Sequence, residues 1–190
     1  VIETNQVIGA IGLNTETGEY VSIGAKAIVL AAGGLTQLFA RNSASKNMGG
    51  DSHALALRAG ANLMDMEFVQ FFPIGHLAPR LVGMDPIMWD PFRYKLGGRL
   101  LNDHGEQFIE HYGGEDGDAY TVGRDLAAYA ILKECDAGRG SPNGGAWLSF
   151  QHLSKLELDE AFGPIIEKLL ANDIDLTKQA IEVAPIAHYH

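Results

Sequence analysis

The segment that decides the fold reads GGDSHALALRAGA over residues 49–61 and continues into DMEFVQFFP over residues 65–73. Two glycines and an aspartate precede a run of small and apolar residues, an order typical of a turn that leads into a helix. Asp51 occupies the position expected of a helix N-cap, and Gly60 occupies that of a helix stop. The apolar stretch that follows predicts a strand over residues 68–72.

A second pair of glycines lies upstream, at the end of a continuous apolar run. Residues 27–32 contain only Ala, Ile, Val and Leu, which predicts a strand buried on both faces, as in a parallel sheet. Gly33 and Gly34 follow it. Glycines in this position let a backbone approach a phosphate or a ribose closely, but the same pattern is also that of a tight turn and a helix cap. Before this run, apolar stretches at 7–13 and 19–23 flank a polar loop and predict a β-hairpin.

The pattern changes after residue 74, where helices and short strands follow one another. Residues 75–95 are punctuated by Pro, Met and Gly and are predicted to be a long loop, and residues 97–108 a short hairpin. Residues 124–137 predict a helix that stops at Gly138, residues 146–150 a strand, and Ser154 and Gly163 the starts of two further helices. The sequence therefore predicts an α/β unit over residues 1–74 and an α+β unit over residues 75–190.

Composition excludes several classes of function. The 190 residues carry 24 acidic and 14 basic side chains, and a net charge of −10 argues against nucleic acid as a partner. The single cysteine, Cys135, excludes a disulfide or a cysteine-cluster metal site within the chain. No apolar run reaches the roughly 20 residues of a transmembrane helix. Because the first residue is not Met and the sequence opens in a strand-like pattern, we expect a piece of a longer protein.

The glycine motifs and the apolar strand together resemble the flavoprotein subunit of succinate dehydrogenase and fumarate reductase. That family's Ala-Thr-Gly-Gly falls on residues 31–34, its Thr-Gly-Asp-Gly on residues 49–52, and its Asp-Met-Glu-Phe-Val-Gln-Phe-His-Pro on residues 65–73. The resemblance implies the C-terminal part of a Rossmann-type FAD-binding domain, over residues 1–74, followed by an inserted α+β capping domain over residues 75–190. It implies FAD as cofactor and Gly33, Gly34, Gly50 and Asp51 as the residues that bind it. The sequence Gly-x-Gly-x-x-Gly is absent, so we expect this chain alone to hold FAD weakly and to be inactive.

The same resemblance assigns roles to two residues of the second unit. Gly-Arg-Asp at residues 123–125 resembles the family's Pro-Arg-Asp or Ser-Arg-Asp, which implies that Arg124 transfers the proton to the substrate carbon as hydride leaves flavin N5. A cation at a helix N-terminus opposes the helix dipole, and functional placement is one reason for such an arrangement. The alternative is an Arg124–Asp125 pair. His188 matches the start of the family's His-Tyr-x-Met-Gly-Gly and is implied to bind a substrate carboxylate; with His190 it could instead form part of a metal site, although no third ligand is evident.

Two further positions bear on the substrate. Asp90 and Arg93 resemble the acid and the arginine of the family's Glu-Gly-Cys-Arg-Gly-Glu-Gly-Gly, with one residue inserted, which implies a substrate-binding or proton-relay pair; a surface ion pair is the alternative. Phe72 stands where the family has a histidine that donates a hydrogen bond to a substrate carboxylate, and Phe has no donor. Three explanations remain open: the substrate lacks one carboxylate, His76 replaces the histidine, or the pocket performs other chemistry.

The resemblance implies an FAD-dependent oxidoreductase that transfers hydride between flavin N5 and a carbon–carbon bond of a small carboxylate. It also implies a partner of the iron–sulfur type and a cytoplasmic location, at the inner face of the membrane through partner subunits. One alternative keeps the fold and changes the substrate, as in L-aspartate oxidase or adenylylsulfate reductase. A second alternative is a non-catalytic interaction or scaffold domain.

Overall fold

The structure is a computed structural model that describes residues 1–79, 81, 87–113 and 123–190. Its strands are β1 (Ile2–Glu3), β2 (Gln6–Val7), β3 (Gly9–Leu13), β4 (Tyr20–Gly24), β5 (Gln70–Ala78), β6 (Arg99–Leu101), β7 (Ala146–Ser149) and β8 (Ile181–Tyr189). Its α-helices are α1 (Asp51–Arg58), α2 (Asp90–Leu96), α3 (Arg124–Asp136) and α4 (Lys155–Leu170), and short 3₁₀ turns span Thr36–Leu38 and Ile109–Tyr112. None of these helices combines the length and the apolar character that crossing a bilayer requires.

The N-terminal part contains the predicted hairpin. β3 and β4 pair antiparallel, with Gly9 opposite Gly24 and Leu13 opposite Tyr20. The polar loop between them is closed by Asn14, whose side-chain oxygen accepts hydrogen bonds from the backbone N–H groups of Glu16 and Thr17. This Asx-type turn is what the polar, glycine-containing loop predicts.

The predicted parallel strand at residues 27–32 is not formed, so that prediction is wrong for the described structure. The segment is extended without strand pairing, and Val29 is 90% exposed. A strand buried on both faces needs a neighbour at each edge and layers above and below it. None of the described strands pairs with this segment, and its residues are exposed, so the burial that such a strand needs is missing.

The helix after the second glycine pair begins one residue earlier than a capping role for Asp51 requires. Gly50 is the N-cap, in the left-handed region with φ +82°, and Asp51 is the first helical residue. The carboxylate lies in the first turn, where the helix dipole favours a negative charge, although it makes no capping hydrogen bond. The N-cap assignment of Asp51 is therefore corrected, while the helix is present as predicted.

The second half is built on a four-stranded antiparallel sheet in the order β5-β8-β7-β6. β5 continues to Ala78 and α2 forms at Asp90, so the predicted long loop over residues 75–95 is wrong at both ends. Pro91 in the first turn of α2 and Gly97 as its left-handed C-cap are start and stop signals, but seven residues are too few to show a helical period. The predicted turn near residues 102–105 is present, and β6 pairs with β7.

The apolar core lies in this second half. Its buried cluster runs in sequence from Ile74 to Val183 and includes the aromatic rings of Trp89, Phe92, Phe108 and Phe150. α3 packs on β5 and β8, and α4 packs near α2. α4 begins with a capping box formed by Ser154 and Glu157 and is kinked at Phe162, which accounts for the two helices predicted there.

The orientation of α3 is held by a buried carboxylate near its C-terminal end. Glu134 accepts two hydrogen bonds from Arg139, one from the Tyr112 hydroxyl at 2.6 Å and one from the Asn102 amide at 3.0 Å. The hydrogen bonds from Arg139 are the largest cause that lowers the pKa of Glu134 to about 2. The helix is thus tied to the turn after β6, and its N-terminus points Arg124 toward the end of the sheet where β5 and β8 pair.

The chain combines helices and strands as predicted. β5 runs through residues 74 and 75, so the division into an FAD-binding part and a capping part stays a prediction.

Candidate active site

Arg124, the first residue of α3, lies over the face of the Phe72 ring. The guanidinium carbon is 4.5 Å from the ring centroid, within the range of a cation–π interaction. Gly123 is the N-cap and has no side chain with which to cap this helix. The described residues include no ion pair between Arg124 and Asp125. The side chain therefore turns toward the sheet, which argues against the Arg124–Asp125 alternative.

Phe72 and His188 lie side by side on the paired strands β5 and β8. Their ring centroids are 3.9 Å apart at an angle of 53°. The register explains the contact, because Phe72 is opposite Ile186 and Phe71 is opposite Ala187 in an antiparallel ladder. The two residues that the sequence analysis treated separately are thus brought into direct contact, and Arg124 covers the same phenyl ring.

Ser43 also belongs to this group, and the sequence analysis missed it. Its hydroxyl lies 2.8 Å from His188 Nδ1, and its backbone N–H donates to the Ala187 carbonyl at 2.9 Å. The residue lies in the polar stretch between the two glycine turns. Its sole sequence signal is a small hydroxyl residue in an Asn- and Ser-rich loop, too common a pattern to assign a partner.

The protonation of His188 follows from its surroundings. Burial and the nearby positive charge of Arg124 both lower the pKa of His188, so its imidazole is neutral at pH 7. When the Ser43 hydroxyl donates to Nδ1, the remaining proton is on Nε2. His188 then presents one N–H donor without carrying a charge.

Asp90 and Arg93 lie inside the protein, and the surface ion-pair alternative is wrong. Asp90 is 3% exposed and Arg93 is 0% exposed. Among the described residues, neither carboxylate oxygen of Asp90 has a hydrogen-bond partner. Burial raises the pKa of Asp90 to about 6, against the opposing effects of the Arg124 and Arg93 charges. Asp90 is therefore a buried acid that interacts electrostatically with both arginines.

His76 does not replace the missing histidine at position 72. Its imidazole is 8% exposed, and the Trp89 indole N–H donates to its Nδ1 at 3.2 Å. Because indole is only a donor, Nδ1 accepts and Nε2 carries the proton, which it donates to the Pro79 carbonyl. Both ring nitrogens are occupied by the protein, so His76 has no donor left for a substrate.

The residues predicted to bind FAD form one connected turn. Gly33 is exposed with φ +83°, and a Cβ there would meet only the Met48 side chain. The Ser52 hydroxyl donates to the Gly33 carbonyl at 2.7 Å, which joins the turn to the start of α1 beside the exposed Asp51. Open backbone next to an exposed carboxylate at a helix N-terminus fits the ribose and phosphate parts of a dinucleotide.

The two other predicted cofactor residues have packing roles in addition. A Cβ on Gly34 would lie 2.5 Å from the His190 carbonyl oxygen, so Gly34 allows the glycine turn to approach the end of β8. Gly50 is buried, and its N–H donates to the Gly34 carbonyl at 3.2 Å. The turn that fits the cofactor therefore lies directly beside the strand that carries His188.

His188 and His190 have different partners and do not form a common metal site. His188 is bonded to Ser43, whereas His190 Nε2 lies 3.2 Å from the Met66 carbonyl and its ring packs edge-on to His53. Within the described part of the chain, no group of three or more His, Cys, Asp or Glu side chains converges on one point.

The chain is similar to known flavoproteins in family, sequence and structure. The family model for the FAD binding domain matches residues 1–190. One of the subunits of the fumarate reductase (CoM/CoB) of Methanothermobacter marburgensis is 35% identical over 189 residues, which cover 100% of this chain and 34% of the relative. Sdh1 of Mycobacterium smegmatis, solved in complex with UQ1, superposes with a TM-score of 0.79 at 35% identity, covering 100% of this chain and 31% of that one.

The chain is also similar to the two kinds of enzyme considered as alternatives, L-aspartate oxidase and adenylylsulfate reductase. L-aspartate oxidase of Neisseria meningitidis is 33% identical over 188 residues, covering 98% of this chain and 36% of the relative. Adenylylsulfate reductase of Archaeoglobus fulgidus, at 20% identity and a TM-score of 0.58, covers 96% of this chain and 32% of that one and shares the fold alone. The chain spans about one third of the length of the relatives it matches. By the match of the family model along its whole length, the chain belongs to the FAD-binding domain family, with flavoproteins of the fumarate reductase and succinate dehydrogenase type among its relatives.

Proposed function

We propose that this chain forms the substrate-facing part of an FAD-dependent oxidoreductase that reversibly reduces a carbon–carbon double bond in a small carboxylate. The observation that carries the proposal is the position of the buried Asp90, which interacts electrostatically with Arg124 and Arg93. Of these three, Arg124 lies at the surface against Phe72 and His188, where a small molecule has access.

Arg124 is the residue that exchanges a proton with the substrate carbon. A guanidinium has a very high pKa in water, so it transfers a proton only where a nearby group replaces that proton at once. Asp90 is suited to do so, because its pKa of about 6 lets it be protonated or ionised near neutral pH. Arg93 is fully buried and so acts behind Asp90, by setting its charge, rather than by direct contact with the substrate.

His188 anchors a carboxylate of the substrate. Ser43 lies within hydrogen-bond distance of its Nδ1, and when the Ser43 hydroxyl donates to that nitrogen, Nε2 is the donor that remains for a substrate. A neutral donor stabilises a carboxylate by one hydrogen bond and does not compete with Arg124 for the transferred proton.

The glycine turn beside the end of β8 would hold the cofactor. In this proposal Gly33 and Asp51 would contact FAD, and Gly34 and Gly50 would allow the close approach of the turn. When bound, FAD supplies or accepts the hydride. In the whole protein, residues 75–190 would close over the flavin and exclude water from the substrate, which would prevent loss of the reactive proton to solvent.

Two consequences concern the whole protein. Because the sequence contains no Gly-x-Gly-x-x-Gly, the isolated chain is expected to hold FAD weakly and to be inactive. The relative from Methanothermobacter marburgensis is named as one of several subunits, and we propose an electron-transfer partner of the iron–sulfur type for this protein as well.

Phe72 favours the alternative of a non-succinate substrate, because it replaces a hydrogen-bond donor to a carboxylate with an apolar ring. The scaffold alternative accounts less well for the buried Asp90. An unbonded interior carboxylate is costly and has no purpose in a purely structural domain.

The test uses the FAD-loaded, full-length protein, reduced anaerobically and mixed with unsaturated carboxylates while flavin absorbance is followed. Arg124→Gln is expected to slow reoxidation by about 10²- to 10⁴-fold, the usual contribution of a general acid. Lys133→Gln changes an exposed cation on the same helix and is the matched control, expected to react like the unsubstituted protein. Equal rates for the two variants would remove Arg124 from the reaction.

A further inference from the structure

The Phe72 ring contacts both Arg124, the proposed proton donor, and His188, the residue proposed to bind a carboxylate. The Arg124 guanidinium lies on the face of the phenyl ring, at 4.5 Å from the centroid, and the His188 imidazole lies at 3.9 Å between centroids. A small molecule that touches both Arg124 and His188 must therefore lie against this phenyl ring.

Apart from Arg124 and His188, the described neighbours of the ring along β5 and β8 offer no hydrogen-bond donor for an anion. Beyond Phe72, β5 continues into Ile74, and opposite Phe72 on β8 is Ile186, both of them buried and apolar. The polar side chain next along β5, His76, is closed off by its bonds to Trp89 and Pro79. A carboxylate placed against the part of the ring that faces away from Arg124 and His188 would lose its water without a replacement bond and would meet the negative π-face of the ring.

The other side of the site can hold one carboxylate. His188 offers Nε2 when Ser43 donates to Nδ1, and the positive charge of Arg124 is adjacent. The site is thus asymmetric, with a polar position at His188 and an apolar position at Phe72.

We propose that this site takes an α,β-unsaturated monocarboxylate with an apolar substituent, a 2-enoate, and that Phe72 selects it over a dicarboxylate. This proposal rests on the function proposed above and narrows its substrate class. The chemistry is unchanged: Arg124 gives its proton to C2, and FAD, when bound in its reduced form, would supply the hydride that C3 accepts. The enoate would thereby become the saturated acid, with a two-electron oxidation of the flavin.

The experiment compares three substrates on the FAD-loaded, full-length protein: fumarate, (E)-2-butenoate and (E)-3-phenylpropenoate. Reoxidation of the anaerobically reduced flavin gives the rates. Binding is measured separately on the oxidised protein, from the change in flavin absorbance on adding succinate, butanoate or 3-phenylpropanoate. The variants are Phe72→His, which adds a donor, and Phe72→Leu, which keeps this position apolar without a ring; flavin content of each shows that it is folded.

We expect at least one enoate to react about tenfold or more faster than fumarate, and its saturated product to bind more tightly than succinate. Phe72→His is expected to shift the ratio of fumarate to enoate rates upward by about tenfold or more, while Phe72→Leu keeps the preference for the enoate. Faster reaction with fumarate, or an unchanged ratio in Phe72→His, would overturn the proposed specificity and leave the reductase function standing. If none of the three compounds reoxidises the flavin, the proposed function fails and this inference fails with it.

Discussion

The carboxylate of Asp90 is close to two arginines, and yet its pKa is raised to about 6 because burial outweighs their attraction. In the reducing direction, proton delivery through Arg124 requires Asp90 in its protonated form. We therefore expect the reduction rate to fall as pH rises through about 6, and the reverse oxidation to rise over the same interval. Single-turnover rates of flavin reoxidation between pH 5 and 8 measure this. A profile unaffected by Asp90→Asn would contradict the relay.

The same pKa makes Asp90 a cost to stability at neutral pH. Its folded pKa of about 6 lies above the unfolded value of 3.8, so the folded state binds this proton more tightly and loses stability as pH rises from about 4 to 6. The difference of roughly two pKa units corresponds to about 3 kcal/mol at most. Asp90→Asn is therefore expected to raise the melting temperature at pH 8 and to change it little at pH 4.

The matched control for that measurement is Asp125→Asn, which removes an exposed carboxylate from the first turn of α3. It is expected to leave the melting temperature nearly unchanged at both pH values. If Asp90→Asn lowers the melting temperature at pH 8, the ionised carboxylate contributes more to the two arginines than its burial costs.

Residue types were the part of the site that the sequence could predict. Arg124, His188, Asp90 and Phe72 were all identified from motifs, and the structure places them in contact or within electrostatic range. The burial of Asp90 and Arg93 was not predicted, because a local sequence pattern does not show which other parts of the chain cover a side chain. The Ser43–His188 bond spans 145 residues, and nothing in a single sequence pairs such positions.

At the scale of elements, prediction succeeded where the signal is local. The β3–β4 hairpin and α3 have turn and stop residues within a few positions of their ends. The loop predicted over residues 75–95 was wrong because α2 is only seven residues long, too short to show a helical period. This helix is stabilised by the burial of Trp89 and Phe92. The run at 27–32 has the composition of a buried strand, and composition cannot supply the neighbouring strands that such a burial needs.

The pairing of β5 with β8 positions Phe72 against His188, and Gly75 is the residue that allows it. A Cβ at Gly75 would lie 2.6 Å from two carbons of the Ile186 side chain. Gly75→Ala is therefore expected to destabilise the protein by about 1–3 kcal/mol through overpacking. It is also expected to raise KM, because the two strands separate at the site. Urea unfolding and steady-state kinetics on the full-length protein measure the two effects.

Ser154→Ala is the control variant for Gly75→Ala. It removes the capping box of α4, far from the strand pair, and is expected to cost about 1 kcal/mol of stability with no change in KM. A KM that rises equally in both variants would mean that general destabilisation, rather than the β5–β8 register, controls substrate binding.

In the whole molecule, the buried apolar residues are concentrated in the part of the chain that begins at Ile74. The buried apolar cluster begins at Ile74, whereas residues before it leave large apolar side chains such as Val29, Ile11 and Phe68 exposed. This distribution supports the proposed division near residue 74, since a unit with its own core resists local opening better than one without.

Limited proteolysis of the isolated chain tests the proposed division near residue 74. We expect early cleavage among the exposed residues 26–32, which lie outside the described strands, and survival of a fragment that begins between residues 60 and 70 and ends at 190. In the FAD-loaded, full-length protein the same bonds should resist, because the apolar side chains of this segment are then covered by the remainder of the FAD-binding domain. Mass spectrometry of the products identifies the cut sites in both samples. First cleavage inside β5–β8 would show that the core from residue 74 onward is not independently stable, and the two-part division would have to be abandoned.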